Sequence, residues 1–152
     1  MSKVERKSIA TYTDHGFGFP VVLEDVSMIK VRGKWTPEID YNLLAKEVLR
    51  CLAELDGRLT GNQVKFIRLQ MEMTLEQFAK RLGLSHPAVL KWEKKGDAPT
   101  GMNWSNEKDI RLFIAMNLSK AKKPFFDLYE FLETVTPERA RKVKLEANTI
   151  AA

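Results

Sequence analysis

Seven lysines and arginines fall between Thr60 and Lys95: Lys65, Arg68, Lys80, Arg81, Lys91, Lys94 and Lys95. The same stretch holds three acids, Glu72, Glu76 and Glu93, an excess of four in a chain whose formal net charge is +5 at pH 7. Cationic side chains gathered in one segment can neutralise phosphates and release their counterions, so a nucleic acid is the partner this patch fits. Bond-making chemistry has no comparable concentration. No carboxylate pair sits in a recognisable catalytic motif, no Gly-rich phosphate loop occurs, and no serine or cysteine has the setting of a nucleophile. An enzyme is therefore not expected. Cys51 is the single cysteine, and the two histidines, His15 and His86, lie far apart. Neither an internal disulfide nor a four-thiolate zinc site can form, and no metal or cofactor is expected. Cys51 stands in an apolar helical stripe and reads as a small buried hydrophobe.

The elements that must position the basic segment can be read from periodicity and caps. The 152 residues leave room for one domain or two small ones, and 44% hydrophobic with 30% charged residues describes a soluble globular chain. No apolar run approaches the ~18 residues of a membrane span. No apolar stretch follows the basic start MSKVERKS, so no secretory signal is read and a cytoplasmic location follows by default. Residues 1–16 carry no period and read as an arm. Residues 17–35 read as two short strands, with Glu24 and Asp25 interrupting the alternation. A helix is expected over 37–55, capped by Thr36 with Pro37 in its first turn, and with Ile39, Leu43, Leu44, Val48, Leu49, Leu52 and Leu55 on one face.

Three short helices then begin alike. Leu59-Thr60 leads to Val64, Met73-Thr74 to Phe78, and Leu84-Ser85 to Val89, each an apolar residue before a Ser/Thr cap and another at the fourth helical position. Gln63 and Gln77 complete capping boxes in the first two. Gly83 supplies the left-handed stop after the second, and a connection that short forces the second and third helices to cross steeply. Trp92 reads as core. Farther on, Ser105 caps an expected helix over 106–117 carrying Ile110, Phe113, Ile114 and Met116. Residues 119–124 read as a linker, and 125–135 as a helix with Phe125, Leu128, Tyr129 and Leu132 on one face. Thr136-Pro137 opens a last helix, and the ending ANTIAA is expected to fray.

The stretch TLEQFAKRLGLSHPAVLKWEKKG resembles the Xre/Cro/phage-repressor helix-turn-helix at Thr74, Gln77, Ala79, Leu82-Gly83, Ser85, Val89 and Trp92-Glu93. Ala79 suits the place where the two motif helices touch. The wider order, a small N-terminal module, a helix and then LTGNQVKFIR, is similar to MqsA-type antitoxins and HigA-like regulators, whose "LTG…LR" pattern is matched by Leu59-Thr60-Gly61 through Ile67-Arg68. The resemblance covers roughly residues 17–117. MqsA-type proteins usually hold zinc in the N-terminal module with four cysteines, which this chain lacks. The resemblance implies a mainly α fold. It comprises an arm and small β-containing module (1–36), a connecting helix (37–58), a five-helix helix-turn-helix domain (59–118) and a helical C-terminal extension (119–152). It implies a transcriptional repressor, possible as an autoregulating antitoxin, that binds a palindromic operator through a recognition helix at 86–94. Two recognition helices one turn of B-DNA apart imply a homodimer, with 106–117 and 125–135 as its expected contact surfaces. Two other functions stay open: an antitoxin acting mainly by gripping a toxin protein, and an adaptor whose DNA-binding motif has decayed.

On this frame His86, Pro87 and Lys91 face base edges. Lys91 can donate to guanine O6 and N7, His86 can donate or accept, and Pro87 offers apolar contact only. So sparse a set leaves specificity leaning on DNA shape. Thr74 and Ser85 at helix starts, with Lys80, Arg81, Lys94 and Lys95, are the phosphate candidates. Lys80 and Arg81 are equally explained as favourable charges at a helix C-terminus. In the resembling repressors an arginine late in the first helix pairs with a glutamate ending the recognition helix, which implies a pair between Arg68 and Glu93. Glu93 itself points that way, because an anion at a helix C-terminus opposes the macrodipole unless it has a tertiary partner.

Overall fold

The computed structural model describes residues 3–118, 122–134 and 141–151. Six α-helices and one small sheet lie among them, a mainly α chain. It divides into two compact units, one of Met1–Val48 with Lys142–Ala152 and one of Leu49–Arg141.

The first unit is built on β2 (Val21–Val31), which has a neighbour along each edge. β1 (Arg6–Asp14) lies antiparallel along one edge, from Arg6↔Ile29 to Asp14↔Val21. The other edge is shared by β3 (Lys34–Pro37), antiparallel, and β4 (Val143–Glu146), parallel with Val21↔Val143 as its first pair. The expected arm is therefore a strand over most of its length. Its period is hidden because the inward–outward alternation shifts by one residue in both strands at the same place, with their register unchanged. Val21, Leu23, Val26 and Met28 are buried, a step of three between steps of two. Asp25, at φ 54°, lies opposite Ala10 between the pairs Ile9↔Val26 and Thr11↔Glu24, and the register is the same on both sides. What looks in sequence like a broken strand is one strand with a kink.

Two more expectations change. Pro37 closes β3 opposite Met28 instead of opening a helix. α1 (Tyr41–Glu54) starts after Asp40, whose carboxylate accepts the N–H groups of Asn42 and Leu43 at 3.0 and 3.1 Å. A carboxylate that takes two orphan donors is a better cap than Thr36. Among the described residues of the C-terminal extension, α6 (Lys122–Thr134) is the α-helix. Residues 143–146 form β4, and a single 3-10 turn, Ala147–Ile150, follows. Val143, Ala147 and Ile150 are buried, and the Asp40 N–H donates to the Ile150 carbonyl at 3.2 Å. Through Ile150 the ending expected to fray packs into the first unit's core. The helix expected from Thr136-Pro137 lies outside the described residues.

The second unit holds α2 (Gly61–Gln70), α3 (Leu75–Arg81), α4 (His86–Glu93), α5 (Trp104–Leu118) and α6. Its core collects Leu52, Leu55, Leu59, Val64, Ile67, Phe78, Ala79, Val89, Ile110, Ile114, Leu128 and Leu132. α5 begins earlier than expected because Asn103, not Ser105, is its cap: the Asn103 Oδ1 accepts the Ser105 N–H at 2.8 Å.

Candidate nucleic-acid interface

The geometry of α4 is set from below by α2. Thr60 caps α2 in a reciprocal box: its hydroxyl accepts the Gln63 N–H at 3.2 Å, and the Gln63 side chain accepts the Thr60 N–H at 3.0 Å. Gly61 then lets the start of α2 lie directly on the end of α4. A Cβ at this position would stand 2.4 Å from the Trp92 carbonyl oxygen and 2.9 Å from that of Glu93, which no other residue tolerates. The Gly61 and Asn62 N–H groups donate to the Ala98 and Gly96 carbonyls at 3.2 and 2.9 Å, so these helix-start donors are taken by the chain beyond α4.

Arg68, late in α2, grips the other end of the same contact. Its Nε donates to Glu93 Oε2 at 2.9 Å and its Nη2 to Glu93 Oε1 at 3.0 Å, a two-pronged pair between residues each 9% exposed. Its Nη1 donates to the Met73 carbonyl at 3.0 Å, which also ties the turn into α3. Glu72, four residues beyond Arg68, is past the end of α2 with a left-handed φ of 56°.

α3 starts at Thr74, in a second capping box with Gln77. Gly83, at φ 69°, turns the chain, and the Leu84 N–H donates to the Ala79 carbonyl at 2.9 Å. Ala79 is 1% exposed at the crossing of α3 and α4, where a longer side chain would wedge them apart. Ser85 has cap backbone angles but no side-chain cap bond. Pro87 lacks the N–H at the second helical position, and the Ala88 N–H donates to the Ser85 carbonyl at 3.1 Å. Ser85 is exposed, and its hydroxyl makes no cap bond.

On α4, Val89 and Glu93 are buried, Leu90 and Trp92 are half-buried, and His86, Pro87 and Lys91 are exposed, with Lys94 and Lys95 exposed just beyond. Half-buried, Trp92 is less enclosed than the core position expected for it. Thr74, Lys80 and Ser85 are exposed. A shallow groove at the start of α4 is lined by Glu76, Ala79, Lys80, Gly83, Leu84, Ser85 and His86. Arg81, exposed as well, also reaches α5: its guanidinium lies 3.7 Å from the Phe113 ring centre and 3.6 Å from Asp109 Oδ1.

One constellation goes unread in the sequence. Glu107 and Arg111 on α5 are fully buried. Glu107 Oε1 accepts Arg58 Nε at 3.1 Å and the Leu59 N–H at 3.0 Å, and Glu107 Oε2 accepts Arg111 Nη2 at 2.8 Å. Arg111 also donates to the Leu55 and Gly57 carbonyls, and Arg58 to that of Met102. Burial pushes the Arg111 guanidinium below its ordinary pKa range, and Glu107 opposes that shift. The cluster anchors the chain entering α2. Among the described residues no group of three or more His, Cys, Asp or Glu is placed to hold a metal, and no described helix is long and apolar enough to cross a membrane.

Two short helices joined through the Gly83 turn and packed on a capped first helix, with Lys91 exposed on the second and Lys94 and Lys95 exposed just beyond it, have the form of a helix-turn-helix. A family model described as helix-turn-helix matches residues 64–105, from α2 into the start of α5. The match supports the Xre/Cro/phage-repressor class of DNA-binding regulators for this segment. No curated protein and no solved structure gave a significant match.

Proposed function

We propose that the chain is a sequence-specific repressor that reads a palindromic operator as a homodimer, with α4 in the major groove. The observation that carries this reading is the division of α4. Its inner side is held by Val89, Glu93 and the Gly61 contact, while His86, Pro87 and Lys91 stand clear on its outer side. A helix so held can present its first turns to base edges at a fixed angle. Lys91 donates to a guanine, His86 to a base edge or backbone, and Pro87 meets a thymine methyl. Lys94, Lys95, Lys80, Thr74 and the free Ser85 hydroxyl take phosphates. Arg81, engaged by Asp109 and Phe113, steadies α3 against α5 beside them. The exposed apolar residues of α5 and α6, Met116, Leu118, Phe126, Tyr129 and Phe131, supply the dimer surface.

Selection of bound duplexes from a random library tests the reading. The expected product is a two-fold symmetric motif with half-sites about 34 Å apart. Lys91→Ala is expected to cost about 1–3 kcal/mol on that motif and to relax one position in it, whereas Lys94→Ala and Lys95→Ala weaken every duplex alike. A library that enriches nothing removes the proposal.

A further inference from the structure

A second basic patch lies in the first unit, at the end of the sheet where β2 turns into β3. The pairing Arg6↔Ile29 and Lys7↔Met28 brings the start of β1 beside this hairpin. Arg6, Lys7, Lys30, Arg32 and Lys34 therefore meet at one end of the sheet against two acids, Glu5 and Glu38. Together with the Thr60–Lys95 segment, this patch holds more positive charge than the whole chain's +5, so the rest of the molecule is acidic on balance.

Two of these cations are neutralised locally, by Arg6–Glu38 at 3.3 Å and Lys30–Glu5 at 3.4 Å. Lys7 lies over the Trp35 ring at 4.4 Å. Arg32 and Lys34 have no ion-pair partner among the described residues, and both are exposed. The turn itself is informative. Arg32 and Gly33 have φ of 52° and 80°, a two-residue turn with both central residues left-handed. Asn, Asp or Gly suits the first of those positions, and a long side chain there carries backbone strain. The strain sets a permanently charged guanidinium at the tip of a short, twisted hairpin, beside Lys34.

We propose that the β2–β3 hairpin is a second DNA contact, in which Arg32 and Lys34 take backbone phosphates of duplex DNA without reading its sequence. The proposal rests on the DNA-binding function above. It assigns the first unit a share of affinity and leaves specificity with α4.

The test is the salt dependence of binding by the full chain, on the selected operator and on an unrelated duplex, for the native protein and an Arg32→Asn, Lys34→Gln variant. Asn before Gly33 suits the turn at least as well as arginine, so the melting temperature should hold or rise. Binding should weaken by the same factor on both duplexes, and the log–log salt slope should become shallower by about 1.8, the release expected from two phosphates. Native affinity and slope in the variant would overturn the proposal while leaving the α4 reading intact. A variant that loses affinity in a protein whose Lys91→Ala form discriminates duplexes as before would sink the α4 reading and keep the hairpin. A native chain that binds neither duplex removes both.

Discussion

At the scale of single residues, charge in the wrong place is the most readable signal. Glu93 sits where a helix macrodipole repels it, and the structure sets it on Arg68 in a two-pronged bond. The Glu107–Arg111 cluster gives no such signal. Spaced four apart on one helix, the two residues look like an ordinary surface pair. Only the arrival of Arg58 and the Leu55–Gly57 carbonyls, roughly fifty residues away in sequence, makes them core. Arg81 is similar, since nothing near it names Asp109 or Phe113. The buried pair supports a direct prediction. Glu93→Gln or Arg68→Met alone should lower unfolding free energy by about 3–5 kcal/mol in denaturant melts, because the remaining group is buried without its counter-charge. The double variant Arg68→Met with Glu93→Leu should regain much of that stability. Single variants that melt like the native protein would show that the pair carries no weight.

At the scale of elements, caps that close on their own sequence are legible and those that depend on tertiary choice are not. Thr60–Gln63 and Thr74–Gln77 form reciprocal boxes because cap and partner lie three residues apart. The start of α1 is harder, since Thr36-Pro37 and Asp40 both offer a beginning, and pairing of Pro37 with Met28 decides for Asp40. Strand β2 is obscured by its own kink at Asp25. The LTG motif is visible as a pattern, but its reason is not, because a glycine with ordinary backbone angles gives no hint of what lies above it. Gly61→Ala tests that reason. With its Cβ held against the Trp92 and Glu93 carbonyls, α2 must lift from α4, costing about 1–3 kcal/mol or more. Amide exchange should quicken along α4 and binding to the selected operator should weaken. Native exchange in α4 would mean the contact is not needed to hold it.

At the scale of the whole molecule, sequence reading finds strands in 17–35 but misses the outer strands: β1 reads as an arm, and β4 returns from the far end of the chain to pair with β2. Val143 is fully buried beside Val21 in the register of that pair. Truncation after Arg141 should therefore strip the strand signal from a circular-dichroism spectrum while the helical signal persists. Loss of both together would mean the helical unit cannot stand without the sheet. The same pairing imposes an order in time. Every capping box and staple of the helical unit closes within a few residues, whereas the Val21–Val143 pair spans more than a hundred. Contacts of such long separation form late, after the entropy of closing the intervening chain has been overcome. The basic hairpin closes on a local two-residue turn, whereas β4 must return across the intervening helical unit to join β2. The expected order in refolding is that the helix-turn-helix and the β1–β2–β3 hairpins protect their amides early and the β2–β4 pair last, which pulse-labelled amide exchange would read.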